Sequence, residues 1–270
     1  MNVDVPTGLW LVALAAAAFV TILALVLVLS STDRAAARRV TAFLLAWLGV
    51  DAVLGAVGLF AASPGTYVPI IAAGIVVPIV AGIWLFTRGG TVRRLVDSIP
   101  LHRQISVQFY RTAGVIFLIA WLAGRMPGTF ALPAGIGDIA VGLAAPFVAA
   151  RVRSPFHDPE RARRAATIWN VLGIADLVMA VTLGFLSSPS FFQLLSHSDP
   201  NWLITRMPYV LVPVFAVPLS VLLHLAALQR LRARESSQRP ADARSLSAES
   251  ASAQTVSSAD RSSAWVGGRS

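Results

Sequence analysis

The chain has 270 residues, 56% of them hydrophobic and 13% charged, with a mean hydropathy of +0.71; a water-soluble globule carries roughly a quarter charged residues, so composition excludes a soluble or disordered chain and points to a polytopic membrane protein. There is no Cys, and all 22 basic residues are Arg, which excludes disulfides, thiol catalysis, Cys-bound zinc, retinal Schiff-base chemistry, a P-loop and PLP catalysis through an internal Lys. The net charge of +9 lies in short Arg clusters between apolar runs, without interleaved aromatics, and reads as a topology signal and as contacts for anionic lipid headgroups rather than nucleic-acid binding.

A helix needs about 20 apolar residues to cross a bilayer. Seven stretches meet or approach that length: 8–30, 40–62, 67–87, 107–124, 128–150, 165–187 and 207–229. The expected fold is all-α, a seven-helix transmembrane domain over 1–230 followed by a disordered tail over 231–270, rich in Ser, Ala and Arg. The first stretch lacks a basic n-region and exceeds the length of a signal-peptide core, so it is read as a retained helix.

The connections alternate in charge. Arg34, Arg38 and Arg39 follow the first span, and none follows the second. Arg88, Arg93, Arg94 and Arg103 follow the third, and Arg125 alone follows the fourth. The fifth is followed by Arg151, Arg153, Arg161, Arg163 and Arg164, the sixth by Arg206 alone, and the tail opens on Arg230, Arg232 and Arg234. The positive-inside rule then puts the N-terminus outside and the C-terminus in the cytoplasm. Heavy use of Ala and Arg without Lys suggests a GC-rich bacterial genome and an inner membrane.

Two segments outside the spans have character of their own. Over 91–99, Val92, Leu95, Val96 and Ile99 recur at helical spacing opposite Arg93, Arg94 and Asp97, which predicts an interfacial helix with its apolar face in the headgroup layer. The sixth connection, 188–206, holds Phe191, Phe192, Leu194 and Trp202. It is expected to lie in the outer interface, with a lid over an outward-facing cavity as the alternative.

Residues 33–64 align with 158–189 without gaps. Arg38-Arg39 falls on Arg163-Arg164, Asp51 on Asp176 and Ser63-Pro64 on Ser188-Pro189. The paired spans run the same way through the membrane, giving two parallel halves joined by the fourth helix. This 3+1+3 plan resembles that of the SWEET and PQ-loop transporters.

Three carboxylates fall deep in spans. Asp51 and Asp176 each lie 12 residues past an Arg pair, about 18 Å in, and Asp138 lies 11 past Pro127, about 16 Å from the other edge. A charge at that depth costs at least about 2.5–3.5 kcal/mol, so it faces protein or water. Small residues at helical spacing accompany each: Gly55 and Gly58; Ala134, Gly135, Gly142 and Ala145; Gly173, Ala180 and Gly184. With the fourth span starting at 107, Arg111 lies near its edge and His224 toward the cytoplasmic end of the seventh, meeting headgroups or a nearby carbonyl, so no cation is expected at mid-depth. The pocket candidates are Asp51, Asp138, Asp176, Asn170 and Arg111, with Asn170 a hydrogen-bond partner for a neutral Asp. No metal, cofactor or catalytic residue is assigned.

Arg111-Thr112-Ala113-Gly114, followed by Pro127-Gly128-Thr129-Phe130-Ala131-Leu132-Pro133-Ala134-Gly135-Ile136-Gly137-Asp138, is the most distinctive stretch. It resembles an uncharacterised group of bacterial seven-helix membrane proteins with an R-x-x-G helix and a P-x-x-F-A-x-P-A-G-x-G-D segment. Pro133 and the glycines after it are expected to loosen the fifth helix beside Asp138, as in interrupted transporter helices. The leading expectation is a small-solute or cation transporter, proton-coupled through an acidic mid-depth pocket. The alternatives are a membrane sensor or assembly subunit and an intramembrane hydrolase using paired Asp residues. The oligomeric state is left open.

Overall fold

The computed structural model describes Phe19, Val20, Ile22, Leu23, Val26, residues 34–64 and residues 69–233. Most of the expected first span, 8–30, and nearly all of the expected tail, 231–270, lie outside the described residues. Among the described residues the fold is all helical: α1 (Arg34–Ala56), α2 (Pro69–Thr87), α3 (Thr91–Ser98), α4 (Leu101–Leu122), α5 (Gly128–Arg153), α6 (Pro159–Ser187) and α7 (Val212–Ala233). All but α3 are long and apolar enough to cross a membrane. Their outer faces leave large apolar side chains exposed, among them Phe43, Val53, Val77, Leu122 and Phe147. Such a surface suits lipid, and its backbone polar groups are satisfied within each helix. The chain is a multi-pass membrane protein, all helical among the described residues.

α1 stops at Ala56, short of the expected residue 62, because Gly58 takes a left-handed backbone (φ +77°) that ends the helix. Gly58 therefore lies off any helical face shared with Asp51. The aligned position in α6 is Leu183, and α6 continues to Ser187. The two matched helices thus leave the membrane differently.

α3 forms where its spacing predicts it, but its apolar face meets protein. Leu95 and Ile99 join a core with Leu44, Val107, Phe215 and Leu219, and Val92 and Val96 pack against Phe86 and Leu222. The bundle offers apolar area that the headgroup layer was expected to supply. Arg93 and Arg94 remain exposed.

α4 begins at Leu101, six residues before the expected start. His102, Arg103, Gln104 and Gln108 break the apolar pattern and read as loop, yet both Gln side chains are buried and partnered. Gln104 donates to the carbonyls of Val96 (2.8 Å) and Ile99 (3.5 Å) at the end of α3, and Gln108 donates to that of Ser220 in α7 (3.2 Å). The earlier start moves Arg111 from the edge to the eleventh of 22 residues.

The irregular turns also differ from expectation. α5 is continuous through Pro133 and Pro146. The donor missing at Pro133 would have served the carbonyl of Thr129 in the first turn, so one lost bond near the helix end is tolerated. The departures from α geometry fall instead in α4, as a 3-10 stretch over Gln108–Gly114, and in α7, as a π stretch over Val212–Ala216.

Candidate functional site

The 3-10 stretch repeats every three residues, so Gln108, Arg111 and Gly114 form one file, and all three are buried. This file faces α5, where Gly135, Asp138 and Gly142 recur at helical spacing. A Cβ on Gly142 would lie 2.7 Å from the backbone nitrogen of Thr112, and one on Gly135 would lie 3.1 Å from the carbonyl oxygen of Gly114. The glycines let the α4 backbone sit directly against α5.

Arg111 occupies the centre, with 1% of its side chain exposed. Its Nε donates to Asp138 Oδ1 at 2.8 Å, and Nη2 meets that same oxygen at 2.8 Å. Nη2 also donates to Asp176 Oδ2, while Nη1 donates to the carbonyl of Gly173 at 3.2 Å. The planar, multiply donating fork of Arg suits it to join three helices this way.

The fourth contact of Arg111 is His224 in α7, 3.2 Å from Nη1 to Nε2. A guanidinium only donates, so Nε2 must be the acceptor and the ring proton sits on Nδ1. Nδ1 donates in turn to Asn170 Oδ1 at 2.9 Å, and Asn170 Nδ2 donates to the carbonyl of Ala166 at 2.8 Å, which fixes the amide's orientation. The His224 ring lies over Gly173, with Trp169 beside it at 5.0 Å between ring centroids. Every nitrogen along this chain has a partner, as buried polar groups require.

Depth agrees across the helices. Arg111 and Asp176 each lie 11 residues from the Arg-poor end of their helices, Asp138 lies 10 and His224 12, which is about 15–18 Å at α-helical rise. The structure thus brings together Arg111, Asp138 and Asp176 from the sequence candidates. Asn170 reaches the group through His224 rather than by bonding an Asp. Asp51 does not meet Arg111: it is buried, its hydrogen bond is with Trp47, and Oδ2 has no partner among the described residues. The mid-depth cation that the sequence reading lacked is Arg111. His224, expected to meet headgroups or a nearby carbonyl, is fully buried beside it. The signal for His224 was its place 12 residues inside an apolar helix, hidden by an expected span that ended at 229.

Two cavities meet at this cluster. One extends from Asp138 between α5, α6 and α7 to Ser190, Phe192 and Thr205 of the sixth connection. The other is lined by Tyr110, Arg111, Asp138 and Ser220, with Phe19 on its wall. Asp138, Phe117, Leu177, Val212 and Val217 line both. The sixth connection lines part of the first cavity and is tied down at both ends. The Asn201 N–H donates to the carbonyl of Ser187 at 2.9 Å, and the Ala62 N–H donates to Thr205 Oγ1 at 3.2 Å. Its Phe191 and Leu194 point outward, and Arg206 stacks on Trp202 at 4.8 Å.

One guanidinium faces two carboxylates, so with both ionised the cluster carries one net negative charge. Among the described residues no three His, Asp or Glu side chains group as metal ligands. With one proton added, the cluster is neutral.

Residues 65–232 match a family described as a domain of unknown function, DUF8737. The matched stretch contains Arg111, Asp138, Asn170, Asp176 and His224 and leaves out Asp51. Nothing matches among curated proteins, and nothing among solved structures. The match takes in more than half of the chain, and the chain belongs to the DUF8737 family.

Proposed function

We propose that the protein is a transporter of a small solute or cation, coupled to protons through Asp138 and Asp176. The observation that carries this reading is the pair of cavities meeting at Asp138, beside a cluster with one more carboxylate than cation. A solute or proton arriving from the Arg-poor end reaches Asp138, and the wall of Phe117, Leu177, Val212 and Val217 separates it from the second cavity. The 3-10 and π turns flank that wall, and such turns are common at hinges and functional sites. This reading includes seven spans with the N-terminus outside and the C-terminus in the cytoplasm of a bacterial inner membrane. It also includes two parallel halves in a 3+1+3 plan and Arg clusters resting on anionic headgroups.

Arg111 between the two carboxylates weighs against an aspartyl hydrolase, whose acids share a proton and a water directly. A sensor or assembly subunit needs no cavity at the charged cluster. The test is flux in reconstituted vesicles, read with an internal pH dye while candidate solutes are added under a pH gradient. The wild type should show solute-dependent proton movement, and Asp138→Asn, which keeps shape and hydrogen bonding, should show none. Equal traces from wild type and variant, or no solute-dependent movement at all, would sink the reading.

A further inference from the structure

The cavity that reaches the sixth connection has an unusual balance of chemistry along its walls. Phe117, Phe130, Phe185 and Phe192 supply aromatic surface, and aliphatic side chains complete most of the rest. Among the described residues Asp138 is the one ionisable group on the lining, and 16% of its side chain is exposed. The hydroxyls on the lining are already engaged. Ser188 Oγ donates to the carbonyl of Gly184 at 2.6 Å. Thr205 Oγ1 donates to that of Trp202 at 3.2 Å and accepts from Ala62. Ser190 Oγ accepts from the Phe192 N–H at 3.2 Å. A sugar or other hydroxyl-rich solute would find few unused polar partners.

With Asp138 and Asp176 both ionised, the charge at the inner end is negative. Arg111 bonds Asp138 through Oδ1 alone, and among the described residues Oδ2 takes no hydrogen bond. Arg111 is shared with Asp176, so in that ionisation state the cluster is one positive charge short. We infer that this cavity binds a monovalent organic cation with an apolar body, the charged centre against Asp138 and the body among the phenylalanines. The inference rests on the transport reading in naming what would be carried, but binding itself needs no flux. Aromatic faces attract a cation directly, and a desolvated cation gains more from them than a hydrated one. An inorganic metal ion would find one carboxylate oxygen where it needs several ligands. An anion would meet the excess negative charge, and a neutral apolar molecule would leave that charge uncompensated.

Equilibrium dialysis of the full-length protein in detergent tests this with two probes of nearly the same shape and opposite charge. Tetraphenylphosphonium should bind saturably, one per chain, and tetraphenylborate should not. Asp138→Asn should weaken tetraphenylphosphonium at least tenfold. Ala180→Phe, which keeps every charge and fills the cavity beside Leu177 and Val181, should do the same, so the test survives if the Asp138 variant misfolds. Equal binding of both probes, undiminished binding by folded Asp138→Asn or Ala180→Phe, or no saturable binding would each overturn the inference. Cavity-dependent binding of the cation without flux in vesicles would remove the transport reading and leave this one standing. Solute-driven proton movement without cation binding would do the reverse.

Discussion

The carboxylate of Asp176 occupies the place where a Cβ on Gly137 would begin. Asp138 also crowds Gly114, where an added Cβ would lie 2.5 Å from that of the Asp, and the His224 ring lies over Gly173. Asp138, Asp176 and His224 are each seated on a glycine of a neighbouring helix. The R-x-x-G and G-x-G-D spacings thereby acquire a physical meaning: Arg111 and Asp138 supply charge, and Gly114 and Gly137 supply the room for their partners.

Gly137→Ala should therefore push Asp176 away from Arg111. Overpacking a close contact costs about 1–3 kcal/mol, which should appear as a lower thermal midpoint in detergent. Gly49→Ala, in α1 with nothing within 4 Å of its added Cβ, is the control and should change the midpoint little. Equal midpoints for the two variants would contradict the packing described for Gly137.

Arg111→Leu should be more damaging than any single change to the acids. Removing one partner of a buried ion pair leaves unpaired charge, at about 3–5 kcal/mol, and here two carboxylates would be abandoned together. Arg111→Lys keeps the charge but gives up the fork that reaches Asp138, Asp176, Gly173 and His224 simultaneously. It should fall between wild type and Arg111→Leu. Adding Asp176→Asn to Arg111→Leu should recover part of the loss, and denaturation of the four proteins measures it.

The hydrogen-bond chain from Arg111 to Ala166 requires the Nδ1–H tautomer of His224. Nitrogen-15 NMR of imidazole-labelled protein should show Nε2 as the unprotonated nitrogen at neutral pH. Asn170→Leu removes the acceptor for Nδ1–H and should destabilise the protein by about 1–3 kcal/mol, the usual range for an abandoned buried donor. An Nε2–H signal in the wild type would require a different partner for Arg111 Nη1.

Because the chain has no Cys of its own, single substitutions test the orientation. Ser63→Cys, between α1 and α2, should react in whole cells with a reagent that stays outside. Ser154→Cys, between α5 and α6, should react only after the membrane is opened. The inverse pattern would reverse the topology.

Much of this architecture was legible in the sequence because lipid solvation imposes long apolar runs, and Arg punctuates them. Asp138 and Asp176 stood out for the same reason: a carboxylate inside such a run demands an explanation. Their partner was harder to see, since its depth depends on where α4 begins. Gln104 and Gln108 look like interruptions until Val96 and Ser220 are known to accept from them, and those contacts are tertiary. His224 was misplaced because its helix reaches beyond 229. Asp51 shows the converse, since equal depth in the sequence did not bring it to the cluster.

The seven residues Gln108–Gly114 also have a geometric consequence for the whole of α4. At three residues per turn rather than 3.6, each residue turns about 20° further about the axis and rises about 0.5 Å more. Over the stretch this amounts to about 140° of extra winding and about 3.5 Å of extra length. The half of the helix beyond Gly114 therefore presents its side chains at an azimuth that an unbroken α-helix of the same sequence would not give. Were these turns to relax to α geometry, Phe117 would swing out of the shared cavity wall as the helix shortened. Winding and the separation of the two cavities are thus one mechanical variable, set where Arg111 is held.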